Sequence, residues 1–308
     1  MKVFYGTDAL PQWHNVVLTI GTFDGVHQGH KSILQSVVQE AKAIDGTSIL
    51  ITFDPHPRKL IFPNESLKLL STLEERLALV AEAGIDVTVV VPFTQQFAAQ
   101  SAQDYIQDFL LRLFEPQLIV IGYDHHFGHD RTGDIHMLAR YAADHHFEVK
   151  EISAQLIADA AVSSTQVRKA LLAGAVDVAA AMLGKPYHIN GKVVQGAQRG
   201  RTIGYPTANI QLPDADKLIP QMGVYAVQVY MNQLHYKGML NLGVNPTVSD
   251  TQDLKIEVHI FDFAQEVYGA EMDIYFVARI RDEMKFTSLD ELKMQLALDK
   301  ENAIALLA

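Results

Sequence analysis

The sequence predicts an α/β protein in two parts. The first is an N-terminal domain built on a parallel sheet covered by helices. The second is a small antiparallel β-barrel closed by a terminal helix. Three observations predict this. Across the first half, short apolar runs alternate with segments of helical periodicity, the order of strands and crossover helices in a parallel sheet. Beyond Gly184-Lys185-Pro186 the alternation stops, and β-rich segments separated by turns follow one another. Finally, 308 residues of which 48% are hydrophobic can bury about two cores of ordinary size.

The opening strand is the apolar run Val16 to Ile20. A glycine-punctuated turn, GTFDGVHQGH from Gly21 to His30, leads into a helix with Ile33, Leu34, Val37, Val38, Ala41 and Ile44 on one face. Ser48 to Phe53 reads as a strand. Thr72 to Ala83 reads as a helix, capped by Ser71 or Thr72 and carrying Glu74 and Glu75 in its first turn. Ile85 to Val91 is a strand, Ser101 to Phe114 a helix, Gln117 to Gly122 a strand, Ile135 to His146 a helix and Phe147 to Ile152 a strand. Ser163 to Ala173 and Val176 to Leu183 form two short helices before the break. The barrel strands fall near Tyr187 to Val194, Gly223 to Tyr230, Gln233 to Leu242, Leu254 to Phe261 and Met272 to Ile280. Ser288 to Leu307 closes the chain as a helix with Leu289, Leu292, Leu296 and Leu307 near one face. The domains are therefore 1–184 and 185–308.

Composition removes several functions. Without cysteine there are no disulfides and no thiolate chemistry, which fits a reducing, cytoplasmic setting. The N-terminal stretch lacks the apolar run of a signal peptide, and no segment approaches the roughly 18 apolar residues of a membrane span. A net charge of −11 argues against a nucleic-acid partner. Nothing in the pattern specifies an oligomeric state.

The chemistry of the first half centres on Gly21 to His30. A strand, a tight turn and a helix start present backbone N–H groups to a phosphate, making Gly21, Phe23, Asp24, Gly25 and Gly29 candidates for nucleotide contact. His27 and His30, on adjacent turns, can hold one anionic group between them and stabilise charge on a leaving pyrophosphate. Zinc is the rival ligand, though a third zinc ligand is missing nearby. In Thr52-Phe53-Asp54-Pro55-His56-Pro57, two prolines stiffen a turn at a strand end. This turn is either structural or, through Asp54 and His56, a wall of the substrate site. The segment Gly122 to Asp134 holds three histidines and three aspartates. A metal cluster is one reading of it. The favoured reading has Asp124 and Phe127 on the nucleotide and Arg131 on a phosphate. Ser163, Ser164 and Thr165 offer hydroxyls at a helix start, where they can simply cap, and Arg168 lies within that helix's first turns, able to reach toward a triphosphate.

In the second half, GKVVQGAQRGRTIGYPTAN, from Gly191 to Asn209, holds four glycines and two arginines. Gly196, Gly200 and Gly204 permit close backbone approach, Arg199 and Arg201 supply charge, and Pro206 stiffens the exit. Thr207 and Asn209, two residues apart on a strand, point the same way and can ligate Mg²⁺ on nucleotide phosphates. The alternative is a β-turn with an exposed threonine. Glu257 alternates with apolar neighbours and shares a face with His259. It is either solvated surface or the general base for an attacking hydroxyl.

The H-x-G-H pair with a late S/T-S/T-x-x-R segment resembles the nucleotidylyltransferase superfamily. Over nearly its full length the chain resembles bacterial bifunctional riboflavin kinase/FAD synthetases. The resemblance rests on GTFDGVHQGH, TFDPHP, the Gly122 to Asp134 loop, VSSTQVR, GKVVQGAQRGRTIGYPTAN, PQMGVY, NLGVNPT, EVHIFDF and IRDEMKF. It implies a Rossmann-like FMN adenylyltransferase domain over 1–184 and a riboflavin-kinase-like barrel over 185–308. The substrates implied are riboflavin, FMN and ATP, with Mg²⁺ as the divalent metal. Thr207 and Asn209 would hold the metal, Glu257 would be the base and Arg281 a flavin contact. His27 and His30 would bind phosphates, with Ser164 and Arg168 aiding the leaving group. One departure stands out: many members carry an aromatic and a basic residue where this chain has His125 and His126. The rivals are an adenylyltransferase for another phosphorylated acceptor and a flavin-binding regulator that has lost one or both activities.

Overall fold

The computed structural model describes residues 1–152, 162–196, 199–245 and 253–308. Ala197, Gln198, Pro246 and Thr247, which belong to the quoted motifs, lie outside them. The chain forms two compact units, Met1–Ser164 and Thr165–Ala308. The two short helices Ser164–Leu172 and Val176–Leu183 thus fall, apart from Ser164, in the second unit, ahead of Gly184.

The first unit is a six-stranded sheet. Its strands are β1 (Lys2–Tyr5), β2 (Val16–Ile20), β3 (Thr47–Asp54), β4 (Val87–Pro92), β5 (Pro116–Gly122) and β6 (Glu148–Ile152). They lie in the order β1-β4-β3-β2-β5-β6, every neighbouring pair parallel. Alternation of side chains sends Leu18, Ile49, Ile51 and Val89 into one core, with the aromatic residues Tyr105, Phe109 and Phe114. Val17, Leu50 and Val120 go into the other, against Ile33, Leu34 and Val37 of the helix Gln28–Ala43. Both faces are covered, so strands such as β2 are buried along their whole length. After β4 the chain crosses back to the far side of β2 to lay down β5. Ligands of such sheets bind outside the strand ends at this reversal, where the segments following β2 and β5 lie.

Three details differ from the sequence reading. Strand β1 is an additional edge strand, too short to show a pattern. Ile44, expected on the buried face, is the exposed C-cap of its helix. The helix expected over Ser101 to Phe114 is capped by Ser101, but its middle, Tyr105–Leu111, is wound as π-helix. Thr72 proves to be the cap of the helix Leu73–Glu82, in a reciprocal capping box with Glu75.

The second unit is a closed barrel of β7 (His188–Val194), β8 (Ala208–Gln211), β9 (Gly223–Met231), β10 (Leu234–Asn245), β11 (Asp253–Ile260) and β12 (Glu271–Arg281). The circuit β10-β11-β8-β7-β12-β9 is antiparallel throughout. The four-residue strand β8 completes it. The terminal helix Leu289–Leu306 is capped by Ser288 and turns Leu292, Leu296, Asp299 and Ala303 inward, whereas Leu289 is exposed. A charged residue therefore occupies the middle of its buried face.

Leu18, in the central strand, is fully buried. Leu18→Ala is expected to destabilise the first unit by about 2–5 kcal/mol, read as an earlier unfolding transition in denaturant.

Candidate active site

In the first unit the turn after β2 is held from below. Asp24 is buried, and its carboxylate accepts hydrogen bonds from the backbone N–H groups of Leu70 (3.1 Å) and Ser71 (2.9 Å) and from the Ser71 hydroxyl (3.1 Å). The Ser71 hydroxyl in turn accepts from the N–H of Gly25 (2.9 Å). Asp24 was expected to contact nucleotide; its carboxylate is held by the backbone of Leu70 and by the backbone and hydroxyl of Ser71. Arg76, also buried, donates to the carbonyls of Thr22 (2.8 Å) and Phe53 (3.1 Å), tying together the segments after β2 and at the end of β3. Burial pulls its guanidinium below its ordinary pKa, against the opposing influence of the Asp24 and Asp54 carboxylates. Phe23, Gly25 and Val26 all have positive φ. For a β-branched residue such as Val26 this conformation is costly and persists only where surroundings impose it.

His27 caps the helix Gln28–Ala43: its Nδ1 accepts from the N–H of His30 (3.3 Å). The two imidazoles stack with centroids 3.7 Å apart, and Phe23 packs against His30 at 4.7 Å. Gly21 leaves room for the Phe23 ring, which an added Cβ would meet at 3.0 Å. Gly29 is buried in the first turn. Burial, and secondarily the neighbouring His27, holds His30 well below its ordinary pKa. At neutral pH His30 is therefore an uncharged imidazole. Its Nδ1 is enclosed without a partner among the described residues.

Around this pair, Asp54 is exposed at the end of β3, while His56 is buried and caps the turn Pro57–Ile61 through the N–H of Arg58 (3.1 Å). In the segment after β5, Asp124 and Arg131 are exposed. Phe127, expected on the nucleotide, is buried. Its ring stacks on Tyr105 (5.1 Å), and its backbone exchanges both hydrogen bonds with Gly133. Phe127 anchors the loop, for the physical reason that a buried ring already packed on both the core and a glycine offers no free face. Among the described residues, no three His, Asp or Glu side chains come together as metal ligands. Ser164 donates to the Asp24 carbonyl (3.1 Å). Ser163 and Thr165 are exposed, and Arg168 lies half-buried one turn further along the helix.

The second unit contains a pocket of about 330 Å³. Three cross-strand neighbours face it or flank it: Asn209 on β8 and Asn241 on β10 are both directly opposite Glu257 on β11. Opposed residues in neighbouring strands project to the same face, so a carboxylate stands between two carboxamides. Lys255 pairs with Glu257 at 2.9 Å. Thr207 lines the pocket just ahead of β8. A Cβ on Gly196 would fall 2.1 Å from the Asn209 carboxamide, and one on Gly200 would fall 2.1 Å from the Tyr205 carbonyl. These glycines thus admit the close approach their spacing suggested. Arg199 and Gly204 complete the turn around them, with Gly204 at φ +87°. Apolar side chains, among them Met284, Phe286, Leu292 and Leu296, share the lining.

Two arginines have other duties than those expected. Arg201 pairs with Glu266 on the surface at 2.8 Å. Arg281 lines the pocket, but its Nε and Nη2 grip the fully buried Asp299 carboxylate at 2.6–3.1 Å and its Nη1 donates to the Asp282 carbonyl. Gln295 donates to the same carboxylate at 2.8 Å. A carboxylate can be buried only when paired and hydrogen-bonded, which explains the guanidinium's commitment. Ser71, Arg76, Asn241, Lys255, His259 and Asp299 were not among the predicted site residues. Only Asn241 and His259 carried a signal, as members of quoted motifs.

The chain matches the FAD synthetase family over residues 9–166 and the riboflavin kinase family over residues 183–307. It is 40% identical to the bifunctional riboflavin kinase/FMN adenylyltransferase of Listeria monocytogenes over 300 residues, 96% of this chain and 93% of that one. It is 36% identical to that of Escherichia coli over 306 residues, 98% and 97% of the two chains. The chain belongs to this family. A crystal structure described as a macrolide-efflux protein from Streptococcus pneumoniae superposes with a TM-score of 0.88 at 32% identity, covering 98% of each chain. Among the described residues here, no helix is long and apolar enough to cross a membrane.

Two outcomes follow from the geometry. Asp299→Ala leaves Arg281 without its buried partner and is expected to destabilise the barrel unit by about 3–5 kcal/mol, measured by denaturant unfolding of the purified variant. Burial also pulls His125, whose Nε2 is enclosed, from 6.5 to about 4. The folded pKa lies below the unfolded one, so the stabilisation is complete above pH 6.5 and is lost as pH falls toward 4. The melting temperature of the first unit should drop over that window, and His125→Phe should drop less. A constant gap between the two melting curves would contradict this.

Proposed function

We propose that the barrel unit transfers the γ-phosphate of ATP to the terminal ribityl hydroxyl of riboflavin, giving FMN and ADP. The first unit then joins FMN to the AMP portion of a second ATP, giving FAD and pyrophosphate. Functionally, the adenylyltransferase domain is 1–184 and the kinase domain 185–308. The observation that carries this reading is Glu257 held between Asn209 and Asn241 beside a pocket lined by both polar and apolar side chains. The apolar side chains suit a flat aromatic ring system, and the polar ones a polyol and phosphates.

In the kinase step Glu257 accepts the proton of the attacking hydroxyl, and the oxygen forms a bond to the γ-phosphorus as the bond to the ADP oxygen breaks. Lys255 steadies the carboxylate at the wall. Thr207 and Asn209 are the proposed holders of Mg²⁺: a hydroxyl and a carboxamide oxygen are hard donors, and the close approach at Gly196 gives them a restricted cradle. Bound there, the ion would neutralise phosphate charge.

In the adenylyl step the FMN phosphate is already anionic and attacks the α-phosphorus without a general base. His27 and the neutral His30 act as hydrogen-bond donors to phosphate oxygens as charge grows on the departing pyrophosphate. The buried Asp24 and Arg76 position the turn that carries them. Ser164 and Arg168 support the leaving group. A cysteine-free enzyme using ATP suits the cytoplasm.

Incubation with riboflavin and Mg-ATP should yield FMN first and FAD later on chromatography. Glu257→Gln should slow riboflavin phosphorylation by about 10²–10⁴-fold while added FMN is still converted to FAD. Equal loss of both conversions would count against this division of labour.

A further inference from the structure

His259 has a duty beyond lining the pocket. It stands two residues beyond Glu257 on β11 and is buried. Its Nδ1 lies 2.8 Å from the carbonyl oxygen of Pro206. A carbonyl only accepts, so Nδ1 carries the proton and donates it. The ladder between β11 and β8 runs from Glu257↔Asn209 to Val258↔Ala208 and stops. One residue further along, His259 would be paired with Thr207, yet β8 begins only at Ala208. The imidazole thus reaches the Pro206 carbonyl where the backbone ladder has ended. The Tyr205 ring meets the same imidazole edge-on at 5.3 Å. Tyr205 is itself held by the hydrogen bond from its N–H to the Gly200 carbonyl, 2.9 Å. Thr207 therefore emerges from a segment fixed on one side by the glycine turn and on the other by His259.

We infer that His259 is a positioning residue of the kinase step: its Nδ1–H bond to Pro206 sets Thr207 relative to Glu257, so that the metal ligand ahead of β8 and the base on β11 move together. This rests on the reading of Thr207 and Asn209 as the Mg²⁺ holders. No proton or phosphoryl group passes through His259, which acts on geometry alone. Misplacement of a ligand by a fraction of an ångström to 1 Å is enough to cost one to two orders of magnitude in rate.

The test uses the full chain with Mn²⁺ as probe, titrated in the presence of ADP and followed by the electron paramagnetic resonance of free ion. Thr207→Val defines the binding that belongs to the barrel unit. His259→Leu is expected to weaken that binding about tenfold and to slow riboflavin phosphorylation about 10- to 100-fold. Conversion of added FMN to FAD serves as the internal control and should stay level. His259→Asn, which places an N–H where Nδ1 stands, should restore most of both losses. His259→Gln, whose N–H falls nearer the Nε2 position, should not. Wild-type Mn²⁺ binding in His259→Leu alongside weakened binding in Thr207→Val would overturn the inference and leave the metal reading intact. Unchanged binding in Thr207→Val would overturn both. Should His259→Leu not fold, equal behaviour of the Asn and Gln variants would overturn the positioning role.

Discussion

A ligand loop at the end of a strand has backbone groups that neither sheet nor helix can satisfy, and in this protein buried polar side chains satisfy them. The Asp24 carboxylate collects three hydrogen bonds across some 46 residues of sequence, from Leu70 and Ser71. Arg76 joins the carbonyl of Thr22 to that of Phe53. Each of these groups would be expensive to bury alone, and each is tolerable because its partners are fixed backbone. The strained turn at Phe23 to Val26 depends on this support. Without it, the stacked histidines would have no fixed place at the helix start.

The barrel unit meets the same requirement with different chemistry. Its glycine turn approaches Asn209 and Tyr205 too closely for any side chain, so small residues rather than charges shape it. Where the β8–β11 ladder ends, His259 takes over one carbonyl. Arg281 and Asp299 fasten the terminal helix to β12, and Leu292 and Leu296 of that helix line the pocket. An ion pair of this kind contributes more to holding a helix in one register than to net stability, since desolvation offsets much of its attraction.

The stacking of His27 on His30 also limits what the pair can do. Two imidazoles 3.7 Å apart, one of them buried, do not both carry charge at neutral pH. They serve as oriented donors in a site whose field is set by backbone N–H groups at the helix start. Such preorganised dipoles need no rearrangement as charge develops on the leaving group.

The sequence by itself determined most of the element order, the parallel sheet, the barrel and the family, because periodicity and ordered motifs are local properties, while the short strands β1 and β8 carried too little pattern to read. Val16 to Ile20 could be read as a strand from four apolar residues around one threonine, and spacing made His27, His30, Thr207 and Glu257 candidates for a site. Local reading could not say which polar residues face a ligand and which are consumed by the protein's own backbone. Asp24, Phe127, Arg201 and Arg281 all look like contacts in sequence. Tertiary structure shows what holds them within the protein: Asp24 is bound by Ser71, Phe127 stacks on Tyr105, Arg201 pairs with Glu266 and Arg281 with Asp299, partners brought close only by folding. The same holds for Arg76 and His259, whose roles are long-range hydrogen bonds with no signature in a string of letters.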